Sequence, residues 1–310
     1  MILTVTVHPA LDKIIRLPRL KAAEAVRARI EMLYAGGKGN NVARALNRLG
    51  VPVIASGFQG GFTGEFVIEQ MKSEGIRTDF FICRSPTRTS LMIIEEETGN
   101  QYAIYEPGQV VEENEIHQFR VHFLGLLSKC NLVLFCGSGQ TSELANLFFD
   151  LILEAAKQGV RCGLDSSGIA LREGVKAKPY LVKINCEELS ELVQKPLSNR
   201  DSQIEAMMQL SQQGISLVAL SRGGEGLLIT DGNTCLEGKL RMENVVNFMG
   251  CGDSLLAGMA SAILDGENLE MITRRGVACG AANTKAIGAG FIDIKLVKEL
   301  EPKVNIHQIF

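Results

Sequence analysis

The 310-residue chain has no Trp, only 4 Tyr and 4 His, and no surplus of charge of either sign. Each shortage excludes something. Lys and Arg total 32 against 35 Asp and Glu, a formal charge of -3. A nucleic-acid binder that works through a cationic field is therefore not indicated, because non-specific phosphate affinity needs that field. The four His are scattered and form no HExxH zinc motif. No CxxC pair occurs among the eight Cys, which removes a zinc ribbon and a thioredoxin-type centre. Most of these cysteines lie in apolar runs and read as buried free thiols of a reducing compartment. No apolar run reaches the roughly 18 residues needed to span a bilayer. The opening Met1-Ile2-Leu3-Thr4-Val5-Thr6-Val7 has no basic segment before it and reads as a first strand, so a cytoplasmic protein is expected.

What is present fits a large folded core. The chain is 46% hydrophobic and 22% charged, which excludes disorder. Length alone suggests about two domains at roughly 150 residues each. The element pattern favours one. Strand-like segments at Ile2–Val7, Val53–Phe58, Leu132–Cys136, Arg161–Leu164, Leu181–Ile184, Leu217–Ser221 and Gly226–Thr230 alternate with helical periods. Those periods fall at Asn40–Leu49, Gly64–Glu74, about Thr141–Gln158, Asp253–Leu264 and about Leu269–Ala286. Alternation of this kind makes a parallel sheet covered by helices. Two stretches break it: Asp12–Leu17 with Arg29–Tyr34, and Thr89–Glu95 with Gln101–Tyr105 across a loop at Glu96–Asn100. They predict a small projecting sheet, serving as a lid or a dimer surface.

Glycine, at 32 residues, is the abundant exception, and it clusters. Gly36-Gly37-Lys38-Gly39-Asn40-Asn41 sits between a strand and a helix, where backbone amides and a lysine would suit an anion. A tight strand-to-helix turn explains it equally. Ser221-Arg222-Gly223-Gly224-Glu225-Gly226 follows an apolar strand and reads either as a hairpin or as a loop under a nucleotide. The third cluster, Gly250-Cys251-Gly252-Asp253, opens a helix whose apolar face holds Leu255, Leu256, Met259, Ala260 and Ile263. Its unpaired amides could stabilise charge on a transferring phosphoryl group, and Asp253 could accept a hydroxyl proton or simply cap the helix. Small residues around Asn283, Gly288 and Gly290 would leave a flat slot or allow close helix packing. No GxGxxG follows a strand and no GxSxG occurs, which disfavours a Rossmann dehydrogenase and a serine hydrolase.

In this order the motifs resemble the ribokinase-like (PfkB) carbohydrate kinases over essentially the whole chain. Asn247-Phe248-Met249-Gly250-Cys251-Gly252-Asp253 is similar to the family's DTxGAGD, and Gly36–Asn41 to its GGKGxN. His8-Pro9-Ala10-Leu11-Asp12 and Thr87-Arg88-Thr89-Ser90 look most like the phosphosugar branch, which holds 1-phosphofructokinase and tagatose-6-phosphate kinase.

The resemblance implies one α/β kinase domain over 1–310, a three-layer αβα sandwich with a mostly parallel sheet and a β-sheet lid at about 12–34 and 88–106. It implies transfer of phosphate from ATP, with Mg2+, to a ketohexose monophosphate. Fructose 1-phosphate comes first, with tagatose 6-phosphate or fructose 6-phosphate as alternatives. An unphosphorylated sugar or nucleoside, or a weakly active sensor, would be the remaining rivals. By position it implies Asp253 as base and Gly250, Cys251 and Gly252 as the anion hole. Asp12, Gly37, Lys38, Gly39, Asn41 and Arg88 would meet the sugar phosphate. Lys183, Asn185, Ser221, Gly223, Gly226 and Asn283 would meet the nucleotide, and Glu188 the magnesium through water. A homodimer through the lid strands is the implied partner. Departures from the family pattern are His8, Ser90, Phe248, Cys251, Glu225 and the segment Gly137-Ser138-Gly139-Gln140-Thr141-Ser142.

Overall fold

In the computed structural model, residues 1–139 and 142–310 are described; Gln140 and Thr141, within the departing segment 137–142, lie outside them. Among the described residues, eleven strands form one sheet. Its order runs Asn305–Gln308, Cys235–Lys239, Leu227–Thr230, Leu217–Ser221, Leu181–Asn185, Arg161–Asp165, Leu132–Cys136, Ile2–Thr6, Val53–Gln59 and Arg77–Thr78. Phe81–Ile82 pairs beyond Arg77–Thr78 on the Val53–Gln59 strand. The strands from Leu217–Ser221 to Arg77–Thr78 are parallel, and the other three add antiparallel.

The central strands are apolar without alternation because helices cover both faces; all five residues of Leu132–Cys136 are buried. One face carries Leu3, Val5, Phe58 and Phe135 under the helices Glu113–Leu127 and Ser142–Lys157. The other carries Ile2, Ala55 and Leu134 under Lys38–Arg48, Cys251–Leu264 and Leu269–Asn283. The expected three-layer αβα architecture is present.

The two predicted strand pairs are also present, each slightly longer than expected, at Ala10–Leu17 with Arg29–Gly36 and Arg88–Glu95 with Gln101–Tyr105. They join into one four-stranded sheet because Ala10–Leu17 and Arg88–Glu95 pair in parallel. Five further helices, Glu113–Leu127, Gly168–Gly174, Cys186–Val193, Arg200–Gln212 and Ile294–Leu300, and the edge strands lie outside the periods read from sequence.

The register fixes where chemistry can occur. Thr6, Cys136 and Asp165 are aligned across three neighbouring strands, and Asn185 with Ser221 across the next two. The chain leaves Ile2–Thr6 toward Val53–Gln59 on one side and returns to Leu132–Cys136 on the other. At such a switch the connections diverge and open a crevice at the carboxyl ends of the strands.

Candidate active site

A cleft of about 420 Å³ lies at that crevice, between the strand ends and the small sheet. Two helices begin there. Lys38–Arg48 starts after Gly37, whose φ of 99° and close approach to Pro9 leave no room for a Cβ. Cys251–Leu264 starts after Gly250, in the left-handed region at φ 74°. Its first internal bond runs from Ser254 N to Gly250 O at 2.9 Å, so the amides of Cys251, Gly252 and Asp253 precede the ladder and point at the cleft. That end of the helix carries the positive pole of its dipole.

Asp253 is buried at 7% exposure, and one carboxylate oxygen accepts from Asn41 Nδ2 at 2.8 Å. Burial raises its pKa, and the Asp165 charge pushes the same way, against Lys38, Asn41 and Lys183. A carboxylate moved toward neutrality is a better proton acceptor than a surface one. Asp165 itself is wholly buried and joins the two lysines: Lys38 Nζ at 2.9 Å and Lys183 Nζ at 3.0 Å. Burial alone would raise the Asp165 pKa, but the two ammonium groups hold it below the usual range. Burial would likewise depress Lys38, yet Asp165, Glu188 and Asp253 keep it firmly charged. Lys183 abuts the helix start, since a Cβ on Gly252 would fall 2.9 Å from its Nζ. The result is a cationic floor beneath the free amides, held by a buried anion.

Asn185 and Glu188 form a capping box on the helix Cys186–Val193: Glu188 N donates to Asn185 Oδ1 at 2.9 Å and Asn185 N to Glu188 Oε2 at 2.8 Å. The other Glu188 oxygen stays 3.5 Å from Lys38 Nζ. Among the described residues no group of three or more His, Cys, Asp or Glu is placed to hold a metal. The single carboxylate of Glu188 beside Lys38 fits magnesium that keeps most of its own water, since this ion dehydrates reluctantly.

The small sheet supplies the opposite wall. Asp12 hydrogen-bonds with Tyr34 and Ser90 and lies near Arg44 and Arg88; burial raises its pKa to about 6 despite all four. Gly36 makes room for it, because a Cβ there would fall 2.1 Å from the Asp12 carboxyl. Arg88 lines the cleft, donates to Glu106 O at 3.3 Å, and its buried Nε has no protein partner. His8 is buried behind it, lowered to about 4 by burial and then by Arg88, and is neutral at pH 7.

The Asp12 shift has a sign that can be tested. Its folded pKa lies above its unfolded one, so the ionised form costs stability above pH 6 and protonation relieves that cost as pH falls toward 4. Asp12→Asn is expected to gain about 2 kcal/mol of stability at pH 7, which a calorimetric melt checks. A lowered melting temperature would contradict this.

Most residues singled out from sequence line this cleft: Asp12, Gly37, Lys38, Asn41, Arg88, Lys183, Asn185, Ser221, Gly250, Gly252 and Asp253. Others do not. Asn283 is wholly buried: Oδ1 accepts from Ser254 Oγ at 3.0 Å and Gly290 N at 2.8 Å, and Nδ2 donates to Met249 O at 2.7 Å. It is therefore a brace for the glycine loop, not a group free to face an adenine. Gly39 is not among the cleft lining, and a Cβ there would fall 2.2 Å from Thr6 Oγ1, so packing already requires glycine at this position. Gly226 is held under the carbonyl of Gly238 in the same way, whereas Gly223 has open space around it. The Cys251 thiol turns back to Asn247 O and Asn283, leaving only its amide for the cleft. Lys38 lines the cleft but is engaged by Asp165 and Glu188, so it acts there as part of that ion cluster and not as a lone cation. Phe248 is 79% exposed beside the helix start. Asp165 went unread in the sequence, although an acidic residue closing a parallel strand is a visible signal.

The profile described as pfkB family carbohydrate kinase matches residues 10–295. Phosphofructokinase-2 from Escherichia coli, in its tetrameric inhibited form, is 29% identical over 97% of this chain and 98% of its own, at TM-score 0.89. The same Escherichia coli protein in complex with fructose-6-phosphate matches over the same shares of the two chains at 29% identity and TM-score 0.88. A Thermotoga maritima protein described as a possible 1-phosphofructokinase covers 100% of both chains at 24% identity and TM-score 0.89, and shows the shared fold.

Proposed function

The chain belongs to the pfkB family of carbohydrate kinases, and on that premise we propose that it phosphorylates a ketohexose monophosphate with ATP to give the bisphosphate. The observation that carries this is the meeting of Asp253, the free amides of Cys251–Asp253 and the Lys38–Asp165–Lys183 cluster opposite Arg88 and Asp12. A phosphoryl donor and an already phosphorylated acceptor both find countercharges there.

The acceptor hydroxyl lies within reach of the Asp253 carboxylate, held in place by Asn41. Asp253 takes its proton as the new O–P bond forms in line with the bond that breaks toward ADP. The helix-start amides and Lys183 stabilise the charge on the transferring oxygens without reorganising. Magnesium bound to the triphosphate would neutralise further charge, with Glu188 as the nearby carboxylate oxygen donor. Asp12 and Ser90 orient sugar hydroxyls, and Arg88 grips the resident phosphate through paired N–H groups. The small sheet excludes water and so limits ATP hydrolysis. Its outer strand Gln101–Tyr105 is exposed along its length and includes Tyr102, Ile104 and Tyr105, a surface for a second copy of the chain. No helix among the described residues is long and apolar enough to cross a membrane.

Fructose 1-phosphate is the first substrate, on the resemblance of His8–Asp12 and Thr87–Ser90 to the phosphosugar branch. Fructose 6-phosphate is the second, favoured by the similarity to the Escherichia coli phosphofructokinase-2 complex with that sugar. An ADP-release assay over sugar phosphates and free sugars tests the whole proposal. Turnover confined to free sugars, or absent throughout with ATP still bound, would reject it. Arg88→Ala is expected to raise KM for the phosphorylated sugar about a hundredfold, the loss of a charge-assisted contact of roughly 3 kcal/mol, with KM for ATP unchanged. Equal effects on both substrates would remove Arg88 from the phosphate site.

A further inference from the structure

Among the described residues Arg44 is the largest fully buried side chain, a cation at 1% exposure on the helix Lys38–Arg48. Every donor is used. Nε donates to Glu74 Oε2 at 2.6 Å, and Nη2 to Glu74 Oε1 at 3.1 Å and Ala35 O at 2.8 Å. Nη1 donates to Ala289 O at 3.2 Å and Asn41 Oδ1 at 3.4 Å. The rings of Phe291 and Tyr34 flank the guanidinium, with centroids 4.4 and 5.4 Å away. Burying an ion pair gains little stability over an apolar replacement of the same volume. The choice of an arginine here needs another reason, and its partners supply one.

Three of its neighbours, Asn41, Ala289 and Tyr34, lead to different parts of the cleft. Asn41 carries the hydrogen bond to Asp253. Ala289 is what Gly250 packs against, for a Cβ on Gly250 would fall 2.3 Å from the Ala289 Cβ. Tyr34 is hydrogen-bonded with Asp12 and with the Ala289 backbone. We infer that Arg44 is a positioning residue that locks the Asp253 base, the Gly250 helix start and the Asp12 sugar contact into one geometry. This rests on the kinase function proposed above and adds to it a residue that touches neither substrate. The planar fork is what lets one side chain serve all three, so a lysine, with a single charged nitrogen, keeps the charge but loses the links.

The test uses the full chain with Arg44→Lys, Arg44→Met and Glu74→Gln, followed by thermal melting and by kinetics with fructose 1-phosphate, fructose 6-phosphate and ATP from pH 5 to 9. Glu74→Gln weakens the buried pair without touching the three links; it is expected to melt earlier with kcat unchanged. Arg44→Lys is expected to lose about tenfold in kcat from misplacement while the acid limb of kcat/KM for the sugar stays put. Arg44→Met is expected to lose more and to move that limb up by about one pH unit, because Asp12 then retains only Arg88 as a facing cation beside neutral Tyr34 and Ser90. Wild-type kcat in folded Arg44→Lys, or an equal kcat loss in Glu74→Gln, would overturn the inference while leaving the kinase function intact. Should Arg44→Met fail to fold, the lysine variant decides alone. Wild-type protein without turnover on either sugar phosphate would overturn the functional proposal, and the inference with it.

Discussion

Asp253→Asn is expected to lower kcat by about a thousandfold, the upper part of what a positioned general base supplies, with ATP affinity essentially kept. The substitution is nearly isosteric, and Asn41 Nδ2 can still donate to the amide oxygen as it does to the carboxylate at 2.8 Å. What is lost is the proton acceptor. The amides of Cys251–Asp253 and the ammonium of Lys183 remain in place for the triphosphate. A second effect should accompany the loss. The Asp165 charge raises the cost of ionising Asp253 beside it, so removing the Asp253 charge relieves that cost, and the variant should melt no lower than wild type. Single-turnover kinetics with ATP titration separates the outcomes. A variant that keeps wild-type kcat would transfer the role of base to another group.

Gly250→Ala is the second large effect. At φ 74° an alanine costs about 1 kcal/mol in the left-handed region, and its Cβ would lie 2.3 Å from that of Ala289. The helix start must therefore shift, and with it the amides of Cys251 and Gly252. A displacement of about 1 Å costs on the order of a hundredfold in rate when catalysis depends on positioning, together with roughly 2–3 kcal/mol of stability. Gly223→Ala provides the contrast. That residue also has a positive φ, 57°, but nothing lies within 4 Å of its Cβ position. It should lose only the backbone cost and keep kcat. Equal losses in the two variants would mean that close approach at Gly250 is irrelevant to activity.

These expectations trace to features that differ in how far the sequence reveals them. The parallel sheet was legible because its strands are unbroken apolar runs between helical periods, as at Leu132–Cys136. The small sheet was legible because two pairs of strands lack a helix between them. Glu113–Leu127 carries a readable signal too, with Ile116, Phe119, Phe123 and Leu126 on its buried face. The capping box at Asn185 and Glu188 is likewise local, being set by a spacing of three residues. The edge strands Cys235–Lys239 and Asn305–Gln308 are different. Their assignment depends on partners distant in the chain, which no local pattern reports.

The sequence by itself determined the fold class and the glycine turns, because each is encoded within a few consecutive residues; the proposed base, Asp253, stands in one of those turns. Glycine abundance pointed to these loops, yet it did not distinguish Gly250, where both φ and a neighbour forbid a side chain, from Gly39, where packing on Thr6 alone forbids one. Only the tertiary structure decided which charges meet. Lys38, Asp165 and Lys183 come from three separate segments, and the strand register brings them to one buried point. Asn283 and Arg44 could not be placed from sequence, since an amide or a guanidinium has the same letter whether it faces a ligand or braces the loop behind it. Burial and partner geometry are properties of the assembled chain, and they separate the groups that do chemistry from those that hold them.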